Sequence, residues 1–170
     1  MAIHWATLFF GHRRNDTTGR STGLTAKYIT CLAATPAGHL YAGTDWIDGT
    51  GGLFRSTDLA ASWTEVFHDI TPYDIRALAV SPLTGDVFVA TYGDGVFHTQ
   101  DDGETWDQVN NGLDCLHLWS LAIGWNGTIY AGSAGCNMGV FRSTDNGDSW
   151  TLVNDGLTTF EISALTIDIY

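Results

Sequence analysis

Basic side chains are scarce. Seven Lys and Arg stand against 19 Asp and Glu, for a formal net charge of −12. A surface of that sign repels a phosphate backbone, so nucleic acid is excluded as a partner. The few cations are also unevenly placed. Arg13, Arg14, Arg20 and Lys27 precede residue 31 with Asp16 the one acid among them, and only Arg55, Arg76 and Arg142 follow, against 18 acids. An acidic surface with one basic loop is expected. No apolar run approaches the roughly 18 residues of a membrane-spanning helix, so membrane insertion is not expected. Met1 to Phe10 has neither a basic n-region nor a small-residue cleavage site, so it does not read as a signal peptide. The cysteines are three, Cys31, Cys115 and Cys136, an odd number that does not fix the redox compartment. The histidines have no metal-ligand spacing. There is no Gly-x-Ser-x-Gly nucleophile turn. No glycine-rich turn lies between a strand and a helix as a phosphate loop requires. No metal and no cofactor are expected. Disorder is excluded too, because charged residues make up 15% and hydrophobic residues 44%.

What the chain has in quantity is glycine and aromatic residues: 20 Gly, seven Trp, six Tyr and eight Phe, with only three Pro. Glycine-rich turns between aromatic and β-branched segments point to an all-β protein. The segments repeat. Ser56-Thr57-Asp58-Leu59-Ala60-Ala61-Ser62-Trp63 aligns with Thr99-Gln100-Asp101-Asp102-Gly103-Glu104-Thr105-Trp106 and with Ser143-Thr144-Asp145-Asn146-Gly147-Asp148-Ser149-Trp150. The central aspartates are 43 and 44 residues apart. Before each comes a Phe-containing run: Leu53-Phe54-Arg55, Val96-Phe97-His98 and Val140-Phe141-Arg142. A second landmark keeps step, in Ile29 to Leu32, Ile75 to Leu78, Leu118 to Leu121 and Ile162 to Leu165. A third lies between, in Leu40-Tyr41-Ala42, Val87-Phe88-Val89 and Ile129-Tyr130-Ala131. Each unit therefore reads as four short strands, A to D, and four-stranded units of about 40–45 residues are the signature of β-propeller blades.

The motif Ser/Thr-x-Asp-x-Gly-x-Ser/Thr-Trp resembles the Asp-box, or BNR, repeat. That repeat occurs in bacterial sialidases, xyloglucan-active glycoside hydrolases, sortilin-type receptors and photosystem II assembly-factor propellers. The resemblance covers nearly all of residues 24–170. It implies antiparallel blades stacked side by side, and it is silent on chemistry because these proteins share blades rather than activity. Three complete blades are expected, at 24–68, 69–111 and 112–155. Residues 1–23 hold a lone D-like strand near 4–10 and a basic loop, and residues 156–170 supply the A strand of a further blade. Three blades leave open faces at both ends. The chain is then a piece of a longer propeller, or associates with copies of itself to complete the ring, or closes on itself in a small propeller.

The aspartate motif has a structural explanation as the tight turn from strand C to strand D. Asp58, Asp101 and Asp145 accept from turn N–H groups, Gly103 and Gly147 supply positive φ, and Trp63, Trp106 and Trp150 cover the turn. Ala60 in place of glycine predicts an adjusted first turn. Function is expected on the opposite face, where B–C and D–A connections collect. Alignment of the A strands gives two columns of varied chemistry there: Tyr28, Asp74, His117 and Glu161, and Thr30, Arg76, Trp119 and Ser163. With Asp45 and Trp46 of the first B–C loop, these are candidates for holding a carbohydrate or protein ligand. Cys115 and Cys136 fall on one face of one blade, where a disulfide fits geometrically and would place the chain in an oxidising compartment, extracellular or periplasmic. Arginines for a sialidase carboxylate clamp are not grouped. Asp74 with Asp114 or Glu161 could form the facing carboxylates of a glycosidase. The expectation is a binding or scaffold module without catalysis; the alternatives are part of a glycoside hydrolase and an assembly-factor-like propeller.

Overall fold

The computed structural model describes residues 22–24, 28–45, 51–67 and 74–167. The expected strand at 4–10, the basic residues Arg13, Arg14 and Arg20, and Trp46 lie outside them. The described residues form twelve strands in three four-stranded sheets and no helix. Sheet 1 contains β1 (Ile29–Ala34), β2 (Leu40–Thr44), β3 (Leu53–Ser56) and β4 (Thr64–Glu65). Sheet 2 contains β5 (Ile75–Val80), β6 (Val87–Thr91), β7 (Val96–Thr99) and β8 (Asp107–Gln108). Sheet 3 contains β9 (Leu118–Ile123), β10 (Ile129–Ser133), β11 (Val140–Ser143) and β12 (Thr151–Leu152). Within each sheet every strand pairs antiparallel with the next one in the chain. Strands A to D of the repeat are these four positions in each sheet.

The sheets stack face to face, β1 against β5 and β5 against β9. Sheet 2 is covered on both sides, and all five residues of β6 are buried. Between sheets 1 and 2, Tyr41, Leu53, Ile75, Val87, Val89 and Phe97 form one core cluster. Between sheets 2 and 3, Phe88, Val96, Leu118, Ile129, Phe141 and Trp150 form another. Each such large apolar side chain contributes on the order of 2 kcal/mol by burial. The outermost strands β4, β8 and β12 are two residues long and exposed, which keeps the pairing edge short.

Close stacking needs small residues on the strands next to the inner ones, β2 and β10. A Cβ on Gly43 would collide with the Ile75 side chain and the Cys31 sulfur, and one on Gly132 would collide with Ser120 and Ile162. Ile162 thus meets sheet 3 as Ile75 meets sheet 1. The Thr30 hydroxyl donates to the Ile75 carbonyl, and the Ser120 hydroxyl donates to the Ile162 carbonyl at 3.1 Å. Residues 161–167 therefore lie where the inner strand of a next sheet belongs. They are not part of a ladder among the described residues.

Candidate functional site

Each inner strand carries a β-bulge at the same place. The ladder passes from Ile29 to Cys31, from Ile75 to Ala77 and from Ser120 to Leu118, skipping Thr30, Arg76 and Trp119. A bulge leaves one residue unpaired and re-aims its side chain. Arg76 and Trp119 are in this way turned into the neighbourhood of Tyr92, which follows β6. The Arg76 guanidinium carbon is 5.7 Å from the Tyr92 ring centroid and 5.8 Å from that of Trp119. These distances are within cation–π range. His117 stacks on Tyr92 with ring centroids 4.5 Å apart, and Trp119 meets Tyr92 edge-on at 6.5 Å.

The charge of Arg76 is balanced locally. Its guanidinium lies 2.5 Å from an Asp74 carboxylate oxygen and 3.8 Å from Asp45. Its Nε has no hydrogen-bond partner among the described residues. The backbone fixes the cluster. Tyr92 N–H donates to the Asp74 carbonyl and Ala134 N–H to the His117 carbonyl, both at 3.0 Å. On the far side of sheet 3 the Glu161 carboxylate accepts from Gly135 N–H at 2.7 Å. Cys115 and Cys136 are joined in a disulfide, with Cα atoms 6.0 Å apart, which ties the segment before His117 to the loop containing Gly135. Cys31 is the free cysteine, and burial pushes its thiol up to about 11, so it stays protonated and unreactive at neutral pH.

Of the residues singled out from sequence, the structure brings together Asp45, Asp74, Arg76, His117 and Trp119. Tyr28 is more than half exposed on the same face, and its carbonyl accepts from Asp45 N–H at 3.0 Å. Glu161 stands next to the cluster through Gly135. Tyr92, at the centre, was not among the expected residues. The position just after strand B holds Asp45, Tyr92 and Ala134, and comparing that column would have exposed it. Tyr92 and Trp119 remain 38% and 43% exposed, so the aromatic surface is open to a ligand. Among the described residues no group of three His, Cys, Asp or Glu is placed to hold a metal ion.

The aspartate turns occupy the opposite face. Asp101 accepts from Thr105 N–H at 2.9 Å, from the Thr105 hydroxyl at 2.6 Å and from the Thr99 hydroxyl at 2.8 Å. Asp58 and Asp145 repeat this pattern with Ser62 and Ser56, and with Ser149 and Ser143. The hydroxyl and N–H donors, Ser62, Thr105 and Ser149 first, hold all three carboxyls down at about 2. Every bond is internal to its own turn. A cleft of about 480 Å³ opens on this side between sheets 1 and 2, lined by residues that include Pro36, His39, Leu83, Asp86 and Asp102.

Comparison with solved structures gives the architecture a class. Over 91% of this chain and 20% of the other, the extracellular domain of a hybrid two-component system from B. thetaiotaomicron superposes with a TM-score of 0.66 at 20% identity. The fold is that of β-propeller blades. The GH74 xyloglucanase from Xanthomonas campestris matches with a TM-score of 0.60 at 19% identity, covering 74% of this chain and 23% of the enzyme. YCF48 bound to a D1 peptide matches with a TM-score of 0.59 at 18% identity, covering 77% of this chain and 42% of that one. The chain thus spans about a fifth of the first two proteins and under half of the third. No protein-family model and no curated protein matches it.

Proposed function

We propose that these blades are of the Asp-box type and form a non-catalytic module that binds a carbohydrate through Tyr92, Trp119 and Arg76. The observation that carries this reading is the bulge in each inner strand, which turns Arg76 and Trp119 toward Tyr92 on the face away from the aspartate turns. The exposed parts of the Trp119 and Tyr92 rings offer apolar surface to a pyranose, and Arg76 with Asp45 and Asp74 offers hydrogen bonds to its hydroxyls. Catalysis is disfavoured by the state of the carboxylates. Asp74 is engaged by Arg76 and Glu161 by a backbone N–H, so each positions a neighbour rather than standing free for proton transfer. An extracellular or periplasmic setting accords with the disulfide.

Calorimetric titration with xyloglucan and cello-oligosaccharides tests the proposal. Saturable binding is expected, weakened about tenfold by Trp119→Ala, in line with a stacking aromatic anchor, and there is no release of reducing ends. Turnover that disappears in Asp74→Asn would establish the hydrolase reading instead. A second reading, a peptide partner on the same face, draws on the D1 peptide bound by YCF48. It is favoured if sugars fail to bind and a protein partner is lost with Trp119→Ala.

A further inference from the structure

Each junction between sheets is made by the same parts. From sheet 1, Tyr41 on β2 and Arg55 on β3 are paired across the ladder. Both reach the turn of sheet 2. The Tyr41 hydroxyl donates to Asp102 Oδ1 at 2.9 Å, and the Arg55 guanidinium binds the Asp102 carbonyl and, at 3.2 Å, its carboxylate. A Cβ on Gly103 would stand 3.5 Å from the Tyr41 ring and from Trp106. The Trp106 indole N–H then donates to the Val66 carbonyl of the sheet before it, at 2.8 Å. From sheet 2 to sheet 3 the matching ladder pair is Phe88 and His98. Here the turn residue is Asn146, a neutral side chain that reaches Asp86, and Trp150 donates to the Val109 carbonyl at 2.7 Å. Tyr with Arg, joined by His39 at 2.8 Å, holds the Asp after the turn aspartate of the next sheet. Where Phe and His stand instead, that position is Asn, and Asn146 reaches Asp86, which His98 also meets at 3.2 Å.

Sheet 3 presents the first of these pairs again. Tyr130 and Arg142 are paired across β10 and β11 in the register of Tyr41 and Arg55. Tyr130 is half-buried and Arg142 exposed, and among the described residues Arg142 has no ion pair. The carbonyl of Val153 stands in the place of Val66 and Val109, three residues after the turn tryptophan. Residues 161–167 already lie along the inner edge of this face.

The geometry points to a further blade as the occupant of this face, one that carries Asp rather than Asn directly after its turn aspartate and a Trp four residues beyond that Asp. The Asp would bind the Tyr130 hydroxyl and the Arg142 guanidinium, and the Trp would donate to the Val153 carbonyl. Sheet 1 of a second copy does not meet this requirement. It has Leu59 at the position of Asp102, 85% exposed, and would set an apolar side chain against Arg142. Its β1 would also compete for the site of residues 161–167.

The test supplies such a blade from the protein itself. The full chain is continued after Ile169 with a second copy of its residues 83–113, which brings the strands and turn that follow an inner strand, with Asp102 and Trp106. The thermal midpoint of the extended chain is expected to lie several degrees above that of the parent. Arg142→Ala should lower its folding constant about tenfold more than it lowers the parent's, and Asp102→Ala within the added copy should remove that excess, as for a charge-assisted pair in a double-mutant cycle. Equal effects of Arg142→Ala in both chains overturn the inference. If the extended chain does not fold, a synthetic peptide of residues 83–113 titrated into the parent decides the matter. Binding weakened about tenfold by Arg142→Ala supports the inference; no binding, or binding indifferent to Arg142, overturns it.

Discussion

Ala60 stands where the other two turns have glycine, and it adopts the same backbone. Its φ is 68°, beside 89° at Gly103 and 94° at Gly147, and its N–H donates to Ser56 as theirs do to Thr99 and Ser143. The expected adjustment of the first turn is therefore absent. The side chain bears the usual cost of a left-handed non-glycine residue, about 1 kcal/mol, and the Asp58 bonds hold it there. All three turn aspartates have folded pKa values of about 2, below the ordinary 3.8. A depressed carboxyl pKa stabilises the fold fully above about pH 4 and ceases to do so as pH falls through about 2. Urea melts of Asp101→Asn at pH 7, 4 and 2 should show a clear loss of stability at pH 7 that shrinks toward zero by pH 2. A pH-independent loss would assign the effect to the lost acceptor oxygen rather than to the charge.

At the scale of the element, the tryptophan after each turn does more than cover it. Trp106 and Trp150 are wedges between sheets, each hydrogen-bonded to the carbonyl of the sheet before it. Their spacing was plain in the sequence, but their partner was not, because the contact spans 40 residues. The strand A columns show the same limit. The sequence placed Arg76 and Trp119 in one column, but only the ladder reveals that a bulge aims both at Tyr92. Cys115 and Cys136 clamp two connections of sheet 3, the pairing that their places on one face of one blade led us to expect. Closing a loop of this size stabilises by about 3 kcal/mol in the chain-entropy model. Denaturant unfolding with and without dithiothreitol should differ by about that amount, with no difference in the Cys115→Ser/Cys136→Ser variant.

For the whole molecule, position in the stack governs stability. Each sheet needs a neighbour on both faces, and only sheet 2 has two among the described residues. Ile29 is 38% exposed on β1, whereas Ile75 in the same place on β5 is 1% exposed. In a stack held by nearest-neighbour contacts, the ends open first. Amide hydrogen exchange should therefore be slowest in β6 and β7, faster in β10 and β11, and fastest in β1. Uniform protection across the three sheets would contradict this picture. The repeat period, the four-strand unit and the turn chemistry were legible along the chain because they are local, set by residues within a few positions of one another. The pairing of Tyr41 and Arg55 with Asp102 and the grouping of Arg76, Tyr92 and Trp119 became visible only once the sheets were stacked. Those contacts join residues far apart in sequence, and backbone register, not composition, decides which side chains meet.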